Sequence, residues 1–148
     1  MTANNYQLLT TISRILAIDY GSKKCGLAAS DPLRLIATGL TTIPTWQLFD
    51  WLEQYLGEEE VGDLVIGESL HKDGTPNAIH THIVGFERKF AKLYPHISLH
   101  RQDEFLTSKR AKMAMIEMGV PKMKRRDKSR VDKIAATIIL QDFMESEH

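Results

Sequence analysis

Two short apolar runs stand out from an otherwise mixed pattern of hydrophobic and polar positions, and both end in turn-forming residues. Ile15-Leu16-Ala17-Ile18 runs into Asp19-Tyr20-Gly21, and Leu64-Val65-Ile66 runs into Gly67. Unbroken runs of this length predict strands buried on both faces, as at the centre of a sheet covered by helices. The first such strand spans Arg14 to Asp19. Cys25 to Ser30 predicts a second strand, joined to it through Gly21-Ser22-Lys23-Lys24. After Asp31-Pro32, Leu33 to Ile43 predicts a third extended segment, completing an antiparallel meander. Alternation over Ile97 to His100 predicts one more strand.

Helical spacing fills the rest of the chain. Thr45 reads as the N-cap of a helix that turns Trp46, Phe49, Leu52 and Leu56 inward. Gly57 to Gly62 reads as a solvated loop. A second helix is expected from Asn77 to Leu93, with Ile79, Ile83, Phe86, Phe90 and Leu93 on its apolar face; His80 and His82 point to different sides of it. A third begins at Thr107 or Ser108, carries Ala111, Met115 and Met118, and stops at Gly119 with Pro121 beyond. The last runs from Val131 to Met144, with Ile134, Ala135, Ile138, Ile139 and Phe143 inward. This order predicts an α/β fold: a five-stranded mixed sheet, made of a three-stranded antiparallel meander plus two parallel strands, flanked by helices. The carboxyl ends of its parallel strands share one edge, where open α/β sheets bind ligands.

Composition narrows the class. With 148 residues, 43% hydrophobic and 26% charged, a single domain with one core is expected over residues 1–148, with 1–13 a loose lead-in. The polar N-terminal stretch predicts neither a signal peptide nor a membrane span, so a cytoplasmic location without membrane contact is expected. Cys25, the sole cysteine, is expected to be buried and inert. The formal net charge is zero, yet it divides into −4 over residues 1–108, +7 over 109–133 and −3 over 134–148. A local surplus of that size is a footprint for a polyanion. No aromatic interleaves this basic stretch, so base stacking is not expected within it.

Four positions carry candidate chemistry. Asp19 ends the first strand, Glu68 follows the fourth, and Asp103-Glu104 follow the fifth. If those strands are parallel neighbours, the carboxylates crowd one edge and repel unless a cation intervenes. Magnesium or manganese resolves this, because hard cations take carboxylate and water oxygens. Asp132 has two readings. Ser129-Arg130-Val131-Asp132 fits a capping box, and a helix start docked on the sheet edge would also bring Asp132 into the cluster. An acidic metal cluster beside a basic segment fits phosphodiester hydrolysis, in which paired metals activate water and hold the scissile phosphate. Lys23, Lys109, Arg110, Lys112, Lys122, Lys124, Arg125, Arg126, Lys128 and Arg130 are the candidates for holding the nucleic-acid backbone.

These residues resemble a known family. Ile18-Asp19-Tyr20-Gly21-Ser22-Lys23, Gly26-Leu27-Ala28, Ser30-Asp31-Pro32, Val65-Ile66-Gly67, Asp73-Gly74, Asp103-Glu104, Leu106-Thr107, Val131-Asp132-Lys133-Ile134-Ala135-Ala136 and Ile139-Leu140-Gln141, in that order, look like the YqgF family. The family is also described as pre-16S ribosomal RNA nucleases or Holliday-junction-resolvase-like proteins. The resemblance implies an RNase H-like fold and a divalent-metal nuclease whose acids fall on Asp19, Glu104 and Asp132; Glu68 or Asp103, from the strand-end reading, is a candidate further ligand. Two positions depart from the pattern: Gly67-Glu68-Ser69 replaces the usual Gly-Leu-Pro, and Phe105 replaces an arginine.

The expected activity is therefore an endonuclease using Mg2+ or Mn2+, acting on precursor ribosomal RNA during ribosome biogenesis. Alternatives are a branched-DNA (Holliday junction) resolvase and a non-catalytic RNA- or ribosome-binding module. An actin-like phosphate loop at Asp19-Tyr20-Gly21 is a more distant option. A monomer or a homodimer is expected.

Overall fold

The computed structural model describes residues 12–68, 76–103, 113 and 128–146. Five strands form one sheet: β1 (Arg14–Tyr20), β2 (Lys24–Ser30), β3 (Ala37–Pro44), β4 (Val61–Glu68) and β5 (Ser98–Asp103). Their order is β3-β2-β1-β4-β5. β1 pairs antiparallel with β2 and parallel with β4, β2 pairs antiparallel with β3, and β4 pairs parallel with β5. This is the expected RNase H-like arrangement of a meander plus two parallel strands. The central apolar runs explain it, since every residue of β1 from Ile15 to Tyr20 is buried and only a sheet covered on both faces can bury such a strand.

Alternation along β1 divides the core. Leu16, Ile18 and Tyr20 face a layer built from α1 (Leu48–Glu58) and α2 (Pro76–Leu93), which contribute Leu48, Leu52, Ile79, Ile83, Phe86 and Phe90. Ile15 and Ala17 face α3 (Lys128–Ser146), packed with Ala28 and Val65 against Ala136, Ile139, Leu140 and Phe143. Each fully buried Leu, Ile or Phe contributes roughly 1.5–3 kcal/mol. Both layers therefore contribute to holding the sheet between them.

Several expectations are corrected. The third strand begins at Ala37 rather than Leu33, because the Asp31 carboxylate accepts the backbone N–H groups of Leu33, Leu35 and Ile36 and folds 31–36 into a loop. In that loop Arg34 adopts φ 59° and Leu33, Leu35 and Ile36 are exposed. Thr45 does not cap a helix: Thr45–Gln47 is a 3-10 turn with no side-chain cap, and α1 starts at Leu48. Trp46, expected inward, is 79% exposed. A 3-10 turn advances three residues per turn instead of 3.6, so residues before Leu48 fall out of phase with the helix behind them. The loop predicted at 57–62 shrinks to Glu59 and Glu60, with Gly62 inside β4. Leu93 ends α2 exposed. α3 begins at Lys128, so Ser129 lies within it and is not its N-cap. The helix expected from Thr107 lies outside the described residues apart from Met113, which is helical.

Candidate active site

Asp19 is the only carboxylate with no exposure among the described side chains. Strand alternation explains its placement: it shares a face with Ile15 and Ala17 and so lies on the α3 side, one step beyond the row Ala17–Ala28–Val65. Its own row reads Gly26–Asp19–Gly67, with a glycine paired beside it on each neighbouring strand. Neither flanking strand contributes a Cβ beside the carboxylate in this row.

The next row places acids side by side along the backbone. Tyr20 pairs with Glu68, and Glu68 pairs with Asp103. The parallel strands thus end together at one edge, and Asp19, Glu68 and Asp103 occupy it. Tyr20 turns the other way, packs in a tilted arrangement against Phe86 at 5.7 Å between ring centroids, and has its phenol pushed up to about 12 by burial and secondarily by Cys25. It is a core residue. Cys25 is buried, as expected, with its Sγ 3.5 Å from the Thr45 hydroxyl.

α3 brings the far end of the chain to the same edge. A Cβ on Gly39 would lie 2.9 Å from Thr137 Oγ1 and 3.0 Å from Lys133 Cγ, so this part of the helix rests on the Gly39–Ala28–Ala17 row. Farther along, Gln141, Met144 and Glu145 line a shallow cavity of about 520 Å3 with Arg34 to Ala37, beside the opposite end of β3. The helix therefore runs antiparallel to β1, and its first turns, including Asp132, lie toward the edge where Asp19 sits. Lys128 and Arg130 begin the helix, and no acid occupies its first turn.

The residue types at this edge fit a hard divalent cation, since carboxylates are its ligands of choice. Among the described residues no three acidic, histidine or cysteine side chains converge as a metal cage. Of the predicted site residues, Glu104, Lys109, Arg110, Lys112, Lys122, Lys124, Arg125 and Arg126 lie outside the described residues, as do the side chains of Glu68, Asp103, Lys128, Arg130 and Asp132. Lys23 is described, exposed in the β1–β2 turn at the Asp19 edge. Sequence reasoning missed the paired glycines and the exposed Trp46. The glycines become meaningful only once strand register is known.

The sequence from residue 13 to 146 matches the profile of the family described as "RuvX: Holliday junction resolvase". The chain belongs to this family. Among its relatives, the "Putative pre-16S rRNA nuclease" of Christiangramia forsetii is 46% identical over 90% of this chain and 98% of its own length. The protein of the same name from Porphyromonas gingivalis is 43% identical over 91% of this chain and 98% of its own. Fowlpox virus resolvase, solved with a Holliday junction DNA, superposes with a TM-score of 0.56 at 12% identity, covering 90% of this chain and 98% of that one, a likeness of fold. This RuvX-family member is thus an enzyme of the nuclease class, on the sheet arrangement expected from its sequence.

Proposed function

We propose that the chain is a divalent-metal-dependent endonuclease that processes the 5′ end of precursor 16S ribosomal RNA in the cytoplasm. Asp19, Glu104 and Asp132 would hold Mg2+ or Mn2+, with Glu68 or Asp103 as a further ligand. The observation that carries this reading is Asp19, wholly buried between two glycines at the edge where β4 and β5 also end. Relatives named for the same precursor support the substrate.

When bound, the cation supplies charge neutralisation at the scissile phosphate and a more acidic water. The chain's own residues do the rest. Asp19, fixed on a central strand, gives the site a rigid oxygen ligand with little freedom to lose. Lys128 and Arg130 at the start of α3, with Lys23 and the basic residues 109–126, hold the flanking phosphates without reading sequence. Hydrolysis adds water across one P–O bond, leaving a phosphate on one fragment and a hydroxyl on the other.

The test is cleavage of a pre-16S transcript by the purified protein with magnesium or manganese, beside Asp19→Asn. The wild type is expected to cut, and the variant to lose at least about a hundred-fold, roughly 2.7 kcal/mol of transition-state stabilisation. Equal cleavage by both would remove Asp19 from the mechanism. The family description favours a second reading, a branched-DNA resolvase. Preference for a four-way DNA junction over the transcript in the same assay would establish it.

A further inference from the structure

Trp46 projects into solvent from a rigid mount. Its turn is pinned to the loop that follows Asp19: Thr45 donates its backbone N–H to the Lys23 carbonyl at 2.8 Å and its hydroxyl to the Gly21 carbonyl at 2.7 Å. Gly21 lies two residues past Asp19, so the turn that carries the indole sits at the same end of the sheet as the carboxylate. The surroundings are polar. Ser22, Lys23 and Lys24 are exposed beside it, whereas the exposed apolar residues Leu33, Leu35 and Ile36 belong to the loop at the other end of the sheet, next to Ser30 and Ala37. Among the described residues the indole has Lys23 and Lys24 on the adjoining turn and Asp50 one turn on, a polar rim that does not suit an apolar protein contact. It suits a base face flanked by phosphates, since aromatic rings stack on any nucleobase while neighbouring cations track the backbone.

We propose that Trp46 and Lys23 form a stacking subsite for an unpaired nucleobase of the strand being cut, which makes a single-stranded segment part of the recognised substrate. The proposal rests on the reading of the Asp19 edge as a phosphodiester-cleaving site. It requires no chemistry at Trp46 itself. Unpaired RNA and DNA offer the same ring face, and the 2′-hydroxyl distinguishes them elsewhere on the strand.

The experiment measures binding by the full chain in EDTA, where cleavage is off, using short oligouridylate, short oligothymidylate and a blunt duplex of equal phosphate number. Single strands are expected to quench the indole emission, and Trp46→Ala to weaken their binding about five-fold or more, as loss of one base–aromatic stack does, while duplex binding changes less than about two-fold. Trp46→Phe should restore most of the affinity, because a smaller ring still stacks. Lys23→Gln should flatten the salt dependence of binding by about one unit of slope. Stronger loss on one oligonucleotide than the other identifies RNA or DNA as the source of the base. The proposal is overturned if Trp46→Ala binds both single strands as tightly as wild type, if it loses duplex binding equally, or if the wild type binds no single strand. The two readings fail separately: loss of cleavage in Asp19→Asn with unchanged binding by Trp46→Ala removes only the stacking subsite, and the converse removes only the catalytic assignment.

Discussion

Asp31 does for the backbone what a helix cap usually does, although no helix follows it. Its carboxylate accepts the N–H of Ile36 at 2.7 Å, of Leu35 at 2.7 Å and of Leu33 at 3.1 Å. These bonds, that to Ile36 foremost, hold its pKa below the ordinary 3.8. A folded-state value lowered in this way contributes stability above the unfolded value, and that contribution disappears as pH falls through the folded one. Asp31→Ala is thus expected to lower the melting temperature at pH 7, with the difference from wild type shrinking below about pH 3.8; melts across that range check it. Tyr20 gives the opposite window. Its phenol is raised to about 12 from 10.0 by burial, so the unfolded chain ionises first and stability should fall as pH rises between those values. Tyr20→Phe should flatten that alkaline decline, read by denaturant midpoint.

At the scale of elements, two glycines separate packing from propensity. Gly39 lies under α3, and any side chain there meets Thr137 and Lys133 at about 3 Å; Gly39→Val should cost on the order of 1–3 kcal/mol through overpacking, seen as a reduced urea midpoint. Gly85 is exposed inside α2 with nothing within 4 Å of a Cβ, so Gly85→Ala should add about 0.5–1 kcal/mol. The strands were legible in the sequence because β1 and β4 are continuous apolar runs that no surface element could bury. α2 was legible because Ile79, Ile83, Phe86 and Phe90 keep one helical phase. The stretch from Leu33 to Trp46 was not. Three apolar residues in Leu33 to Ile36 looked like a strand, yet one carboxylate outcompetes the ladder for their N–H groups. Trp46 fits the Phe49–Leu52–Leu56 spacing on paper, and only the change of pitch at the 3-10 turn sends it outward.

Across the whole molecule, the candidate site was legible as a set of residue types but not as an arrangement. Asp19 could be placed at a strand end from its own run. Its sharing of a row with Gly26 and Gly67, and the approach of Asp132 from the last helix, depend on register and helix direction, which no local pattern encodes. The same uneven charge that pointed to a polyanion makes a global expectation: affinity for nucleic acid should fall steeply as salt rises, with log Kd linear in log salt and a slope set by the number of phosphates contacted. A titration series over ionic strength checks it, and a flat response would assign the cationic stretch to another role.

The final helix supplies both the lid over half of the sheet and, on the ligand set proposed, its last acid. Synthesis reaches it after every strand is already made, so a chain still emerging from the ribosome carries Asp19 without Asp132, and Ile15, Ala17, Ala28 and Val65 without their cover. Cutting competence would then arrive together with the closing of the core.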